Sequence, residues 1–554
     1  MIARLALLLL PVLACGVESE PGSTLSSGGR SANPASAWTE PIEPATPATL
    51  AAHVEARARA LAGHSYAASG AALPEALTEL DYEEYRSIRF RAEAALWRGE
   101  TPFEVQLMHP GFLFDEPVRI HLVEHEAVTT LPFDATRFEY DGPAAHLAGT
   151  LPSEIGHGGF RIHHPQNDPD VKDEVAVFQG ASYFRLLGPG QVHGLSSRGL
   201  AIDIGGEEEF PDFREFWLVR PEPGEEAMVF HALLDGPSVT GAYRFELAPG
   251  PETVLRVDAR LFARRDVKRL GVAPLSSMFL YGPNDASSYD DFRPEVHDSD
   301  GLLMLTRAGE WIWRPLSHRP IPIVTALIDT DPRGFGLVQR ARDFDRYLDV
   351  ETHYHMRPSE WARLGEGDWG RGGVQLLEAP TVSEFQDNIA VSWVPDAPFS
   401  AGEERRYRYE LVVFDERLAA QTLAQVERTG IGWDALPGQA APPPRTRRRF
   451  IVDFSDADVD HATAADATTD DAGAGDTGAG DADAGNDPEA IIETSAGRIS
   501  DLRTMRLPSE PGWRVSFRLE PDGDRPADMR LYLTRAGERL SETWSYVWYP
   551  DHAR

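Results

Sequence analysis

The chain has 554 residues, 42% hydrophobic and 9% aromatic, with 88 acidic against 53 basic side chains, a formal net charge of −35 and a single cysteine. Such a length exceeds one ordinary core, so a large domain with smaller units is expected. The charge excludes the basic surface that nucleic-acid or anionic-membrane binding requires, and one cysteine excludes an intrachain disulfide and thiolate zinc sites.

Residues 1–15 read as a lipoprotein-type signal peptide. Arg4 precedes the apolar run Leu5–Leu13, which is too short to span a bilayer. Val12-Leu13-Ala14-Cys15 is similar to a bacterial lipoprotein cleavage box, which makes Cys15 the lipidation site; an ordinary signal peptide cut near Ala14 is the alternative. Both readings place the protein beyond the inner membrane. Gly16 after the cysteine favours the outer membrane, with the lipid as the only membrane contact. Residues 16–47, rich in Ser, Gly, Pro, Ala and Glu, read as a flexible tether.

Thr49 is placed to cap a short helix in which Leu50, Val54 and Leu61 share a face and which stops near Gly63. From Thr101 the pattern changes to short alternating segments, such as Phe103–Leu107, Val118–Leu122, Thr253–Phe262 and Arg406–Phe414, separated by turn residues. Many short strands and few helical stretches predict an all-β protein, with a large sandwich over residues 48–430. Residues 431–449 are expected to form a Pro- and Arg-rich linker. A small all-β domain of immunoglobulin-like size then covers 450–549, with 455–490 as a disordered insertion of Ala, Asp, Gly and Thr.

Three motifs fail on their context. His121-Leu-Val-Glu124-His125 has zinc-peptidase spacing but sits in a strand pattern, where the two imidazoles cannot share a face. Gly194-Leu-Ser196-Ser-Arg-Gly199 is one residue too long for a nucleophile elbow and reads as a tight turn entering a strand. Asp456, Asp458 and Asp460 begin a calcium-loop pattern that His461 and Ala467 break. His163-His164 and His353-Tyr-His355 lack a third ligand at recognisable spacing and read as loop or surface histidines. Neither a metal nor a cofactor is expected.

Tyr281–Pro315 is the stretch densest in chemistry. It interleaves Asp290, Asp291, Glu295, Asp298 and Glu310 with Trp311, Trp313 and Arg314, a mixture suited to a sugar's apolar ring face and hydroxyl rim. Alternation puts Trp311 and Trp313 on one face, as sugar contacts or as core. A glycosidase needs two carboxyl groups, one acid and one base or nucleophile. Asp298, Glu310, Asp343 and Asp387 are the candidates, and the residues alone do not pair them.

Gly180-Ala-Ser-Tyr-Phe184, Gly194–Asp203, Glu215-Phe-Trp217, Gly271–Leu275, Ser277–Phe279, His297-Asp-Ser299, Gly309–Pro315 and Ser541–Tyr546 resemble, in consistent order, the periplasmic glucan biosynthesis proteins of the MdoG/OpgG and OpgD type. The resemblance implies a galactose-mutarotase-like sandwich joined to an immunoglobulin-like domain. It implies action on β-1,2-linked glucan beside a membrane glucosyltransferase, with a homodimer as the assembly. By the same resemblance the general acid is Asp387 of Asp-Asn-Ile and the general base is Asp298 of His-Asp-Ser, acting in inverting members through an extended proton relay. Arg293 or His297 is expected to stabilise the Asp298 charge, and Phe385 and Ile389 to bury Asp387 in part. Trp311, Trp313, Arg314, Tyr183, Arg198, Trp217 and Glu310 are the expected substrate contacts. An endo-β-1,2-glucanase leads, with a transglycosylase or cyclase and a non-catalytic glucan-binding scaffold as alternatives; a sugar mutarotase rests on fold analogy alone.

Overall fold

Period-two alternation builds almost every element of the structure, a computed structural model that describes residues 46–67, 73–435, 437–456, 487–508 and 511–550. The signal peptide with Cys15, nearly all of the tether, and Asp458 and Asp460 with most of the acidic insertion lie outside the described residues. The fold is all-β, with a large sandwich followed by a small one.

The large sandwich packs a ten-stranded sheet against a fifteen-stranded one. In the first, Tyr183–Leu186, Ser196–Arg198, Leu270–Ser277, Ile389–Pro395, Arg371–Glu378 and Ile323–Thr330 lie side by side in that order. The second runs through Thr253–Ala263, Val239–Ala248, Met228–Asp235 and Asp212–Val219. One face of each sheet turns inward, and rings from the two faces meet there. Phe178 stacks on Phe160 at 5.2 Å and on Phe184 at 4.8 Å within one sheet, and meets Phe230 of the other edge-on at 5.2 Å. Edge-to-face pairs of this kind add about 0.5–1.5 kcal/mol beyond their buried area.

The expected helix forms over Leu50–Ala62 and buries Leu50, Val54 and Leu61 on the outer face of the fifteen-stranded sheet. Thr49 occupies the N-cap position, but its hydroxyl bonds back to Thr46 and caps nothing in the helix. Under the helix sits Trp217, 2% exposed and stacked on His121 at 5.0 Å. That corrects the sugar contact expected of Trp217. His121 and Glu124 lie on the strand Arg119–Glu124, with His121 hydrogen-bonded to Glu215 at 3.0 Å and Glu124 accepting from the Trp97 indole at 2.7 Å. His163 and His164 belong to the strand Gly159–Pro165, not a loop, and His163 is buried. Ser196–Arg198 is likewise a strand and not a turn. Gly199 stays small because a Cβ there would meet the Phe213 ring at 2.6 Å.

The small sandwich pairs a four-stranded sheet, Val426–Trp433, Arg448–Ser455, Gly512–Glu520 and Arg498–Arg506, with Glu489–Thr494, Ala527–Arg535 and Thr543–Trp548. Its first strand begins at Val426, so the break placed at residues 430 and 431 falls inside a strand. Thr543–Trp548 also pairs in parallel with Trp311–Pro315, setting Trp313 opposite Trp544, so the fifteen-stranded sheet runs unbroken through both sandwiches.

Trp311 and Trp313, 7% and 3% exposed, lie in the apolar core shared by the two sandwiches, which corrects the sugar contact to packing. The Arg340 guanidinium covers the Trp313 ring at 3.7 Å and is paired with Glu542. Arg314 is buried 3.6 Å from Glu378, and Glu310 accepts from Arg530 and Thr543 of the small sandwich. Glu310 therefore joins the two units, whereas Arg314 is paired within the large sandwich.

The core includes a carboxyl group. Glu360, 1% exposed on the strand Ser359–Gly367, accepts from the Ser197 hydroxyl of the opposite sheet. Burial pushes its carboxyl up to about 7. The unfolded chain releases this proton at lower pH than the folded one, so the stability held with Glu360 protonated is full below about 4.5 and is lost as pH rises to about 7. The loss is about 3 kcal/mol. Urea unfolding at pH 5 and pH 8 is expected to show that Glu360→Gln removes this part of the slope; a parallel pH dependence in the two proteins contradicts it.

Candidate active site

The outward face of the ten-stranded sheet forms the floor of a cavity of about 330 Å³. Successive residues alternate across the sheet. Phe184 and Ser197 point into the core, so their neighbours Tyr183 and Arg198 point out into the cavity, directly opposite each other in register. The Arg198 guanidinium lies over the Tyr183 ring at 4.6 Å and pairs with Glu208 at 2.5 Å. Burial pushes the Tyr183 hydroxyl up to about 12, so it remains a donor at neutral pH.

Asp387 enters from the loop that leads into the strand Ile389–Pro395. Its neighbour Asn388 fixes that loop: the Asn388 side chain accepts from the Phe279 N–H at 2.8 Å and donates to the Phe279 and Ala379 carbonyls at 3.0 and 2.8 Å. Phe279 in turn is paired with His297, and the Asp298 N–H donates to the Met278 carbonyl at 2.8 Å. The segment Met278–Phe279 is thus gripped on one side by the residue after Asp387 and on the other by Asp298. The segments that carry two carboxyl groups 89 positions apart in the chain are thereby tied to one short stretch of backbone.

Their environments differ. Asp387 lines the cavity, and its Oδ2 is enclosed with no hydrogen-bond partner. Burial holds its carboxyl above the usual carboxylate range; the Asp298 charge adds to the rise, and Arg185, Arg198 and Arg357 oppose it. Ile389 is buried and lines the same cavity, and Phe385, also on its lining, is half exposed. Asp298 is 1% exposed, set behind the cavity wall and not on it. Its charge is compensated by Arg357 and not by the neighbours expected from the sequence. Arg293 binds Asp291, Asp349 and Glu384 instead, and His297 bonds to Glu295 and Gln339.

Arg357 also stacks on the Tyr354 ring at 4.0 Å, and the Tyr354 hydroxyl donates to Glu384 at 2.6 Å. Glu384 precedes Asp387 by three residues, so this path returns to the loop that carries the acid. Arg357, Tyr354, Glu384, Glu208 and Phe210 were not singled out from the sequence. The first two stand beside His353 and His355, which drew attention for metal spacing; Glu208 lies in an acidic run that reads as solvated loop. The fourth candidate carboxylate, Asp343, is exposed on a separate groove of about 890 Å³ between the sandwiches. Among the described residues no group of three or more His, Cys, Asp or Glu is placed to hold a metal ion.

The model of the family described as periplasmic glucan biosynthesis protein, MdoG, matches residues 50–548. The chain belongs to this family. Among its relatives, glucans biosynthesis protein G of Vibrio cholerae is 42% identical over 496 residues, covering 89% of this chain and 85% of the relative. That of Rhodopseudomonas palustris is 42% identical over 494 residues, covering 89% and 91%. The Shewanella frigidimarina protein is 41% identical over 497 residues, covering 89% and 83%. Membership in the MdoG family makes this a glucan biosynthesis protein of periplasmic type. No helix among the described residues is long and apolar enough to cross a membrane.

Proposed function

We propose that the chain cleaves β-1,2-linked glucan as an inverting endo-glucanase, with Asp387 as general acid and Asp298 as general base. The observation that carries this is the Asp387 carboxyl: enclosed, biased toward its protonated form, and with one oxygen lacking a partner in a cavity large enough for a sugar. In this reading the Asp387 proton passes to the glycosidic oxygen as the bond from that oxygen to the anomeric carbon breaks. A water attacks the anomeric carbon from the opposite face and gives its proton toward Asp298. Inversion needs the two carboxyl groups far enough apart to admit that water. Asp298 is buried and does not line the cavity, so in this reading the proton reaches it through intervening groups and not by direct contact with the water.

Lipidation of Cys15, sorting to the outer membrane, cooperation with a membrane glucosyltransferase and a homodimeric assembly complete the proposal; all four rest on the sequence and the family. The test is product analysis after incubation with linear β-1,2-glucan. Shortened chains whose new reducing ends first appear as the α-anomer support the reading. Cyclic products would assign a transglycosylase, and binding without turnover a scaffold.

A further inference from the structure

The last strand of a β-sheet leaves a row of backbone N–H and C=O groups open to another strand, and folded proteins shield such edges. At one end of the ten-stranded sheet, Glu104–Met108 is covered by Leu96, which exchanges hydrogen bonds with Val105 at 2.9 and 3.2 Å. The fifteen-stranded sheet ends in the four-residue Ala127–Thr130 and in Glu489–Thr494, which carries Glu489 and Glu493. In the four-stranded sheet the Asn284 side chain caps Val426–Trp433, donating to the Thr429 carbonyl at 2.9 Å and accepting from the Ile431 N–H at 3.0 Å. Its other end, Arg498–Arg506, is charged and broken by a register shift between Ser500 and Arg503.

Ile323–Thr330, at the other end of the ten-stranded sheet, has none of these protections. It pairs with Arg371–Glu378 on one side, and among the described residues no strand lies on the other. None of its eight residues is buried. Residues 320–328 carry no charge in a chain of net −35, and the strand's one charged side chain, Asp329, accepts from the Arg307 N–H at 2.6 Å. Val324, Ala326 and Ile328 share the outer face: a Cβ on Gly373 would meet Ile328 and Ala326 at 3.0 and 3.2 Å, and Val324 stands opposite Leu377, which lines the cavity. Val324 is 43% and Ile328 57% exposed. Residues 323–328 thus combine β-branched and apolar side chains with no charge, Gly or Pro, the pattern that recruits a further strand.

We infer that this edge is an interface between two copies of the chain: Ile323–Thr330 pairs antiparallel with itself across a two-fold axis perpendicular to the sheet, joining two ten-stranded sheets into one. The inference rests on the homodimer included in the reading above and gives it a surface; it is independent of the glucan chemistry. Three features select a second copy as the occupant. Centred on Ala326, the self-pair sets Val324 against Ile328 of the partner subunit and Ala326 against itself, so the outer face stays apolar across the seam. Asp329 then faces Ile323 of the partner subunit and not a second Asp329, so two strongly acidic chains meet where neither opposes the other's charge. Two-fold pairing also uses up both edges, which closes the assembly as a dimer instead of extending it into a fibre.

Sedimentation equilibrium tests it, on the full chain carrying Cys15→Ser so that no lipid adds to the mass. One strand pair is a small interface, so association is expected within about 1–100 µM, the mass approaching twice that of one chain. Adding Ala326→Lys and Ile328→Lys, at exposed positions outside the core, is expected to keep the chain monomeric throughout. Val171→Lys, at an exposed apolar position elsewhere, is expected to dimerise like the parent. Ala326→Cys in the same background is expected to give a disulfide-linked dimer on mild oxidation, because residues opposite each other in an antiparallel pair stand about 4.5–5.5 Å apart, within disulfide reach. A parent that stays monomeric overturns this interface and the homodimer together. A parent that dimerises, with equal dimerisation of the two-lysine variant, overturns the interface and leaves the homodimer standing.

Discussion

Replacing Asp387 by Asn is expected to lower cleavage of linear β-1,2-glucan by about 10²–10⁴-fold, the range that a positioned general acid contributes. Glucan binding should persist, because Asn keeps the shape of the side chain and the cavity floor is untouched. The pH dependence supplies a second signature. An acid must carry its proton before the bond breaks, and burial holds Asp387 above the usual carboxylate range. Wild-type activity should therefore fall as pH rises through that raised value, and the residual activity of the Asn variant should lack this limb. The sign for stability is the same. A carboxyl whose folded form keeps its proton to higher pH favours the folded state in acid and loses that advantage on deprotonation, so the Asn variant should gain in relative stability toward alkaline pH. Reducing-end assays from pH 5 to pH 9 check the rate, and full activity in the variant would remove Asp387 from the role.

The second large effect is expected at the junction of the sandwiches. Glu542 is fully buried and accepts from Arg340 at 2.6 and 3.0 Å, from Gln421 Nε2 at 2.6 Å and from the Val426 N–H at 2.7 Å. Arg340 is also the cation over Trp313. Arg340→Leu leaves the Glu542 charge buried without its cation, which destabilises by about 3–5 kcal/mol. Glu542→Leu in the same chain removes the stranded charge, so the double variant should recover much of the loss. Chemical unfolding of the wild type, the two single variants and the double variant measures this. A loss below about 1 kcal/mol in Arg340→Leu would show that the pair does not hold the two sandwiches together.

The all-β class was legible because period-two alternation is local: Thr253–Ala263 and Glu404–Phe414 were marked almost to their ends by their own residues. Alternation also states which residues share a face. It paired Trp311 with Trp313 correctly but left open what that face meets, and the answer came from a strand more than two hundred residues away, Thr543–Trp548. The same limit explains Trp217, whose face is covered by the helix Leu50–Ala62.

In the candidate site, the residue types at 183, 198, 298 and 387 were marked by motifs and resemblance, and the structure brings Tyr183, Arg198 and Asp387 to one cavity. Asp298 it sets behind that cavity, with a partner, Arg357, that no spacing in the chain announces. By itself, then, the sequence determined the strands, their two-faced character and the chemistry available on each. Only the tertiary structure decided which faces are covered, which carboxyl is enclosed and which cation compensates it. Burial and charge pairing depend on distances through space, and antiparallel sheets with long crossovers set those distances by register between strands far apart in the chain.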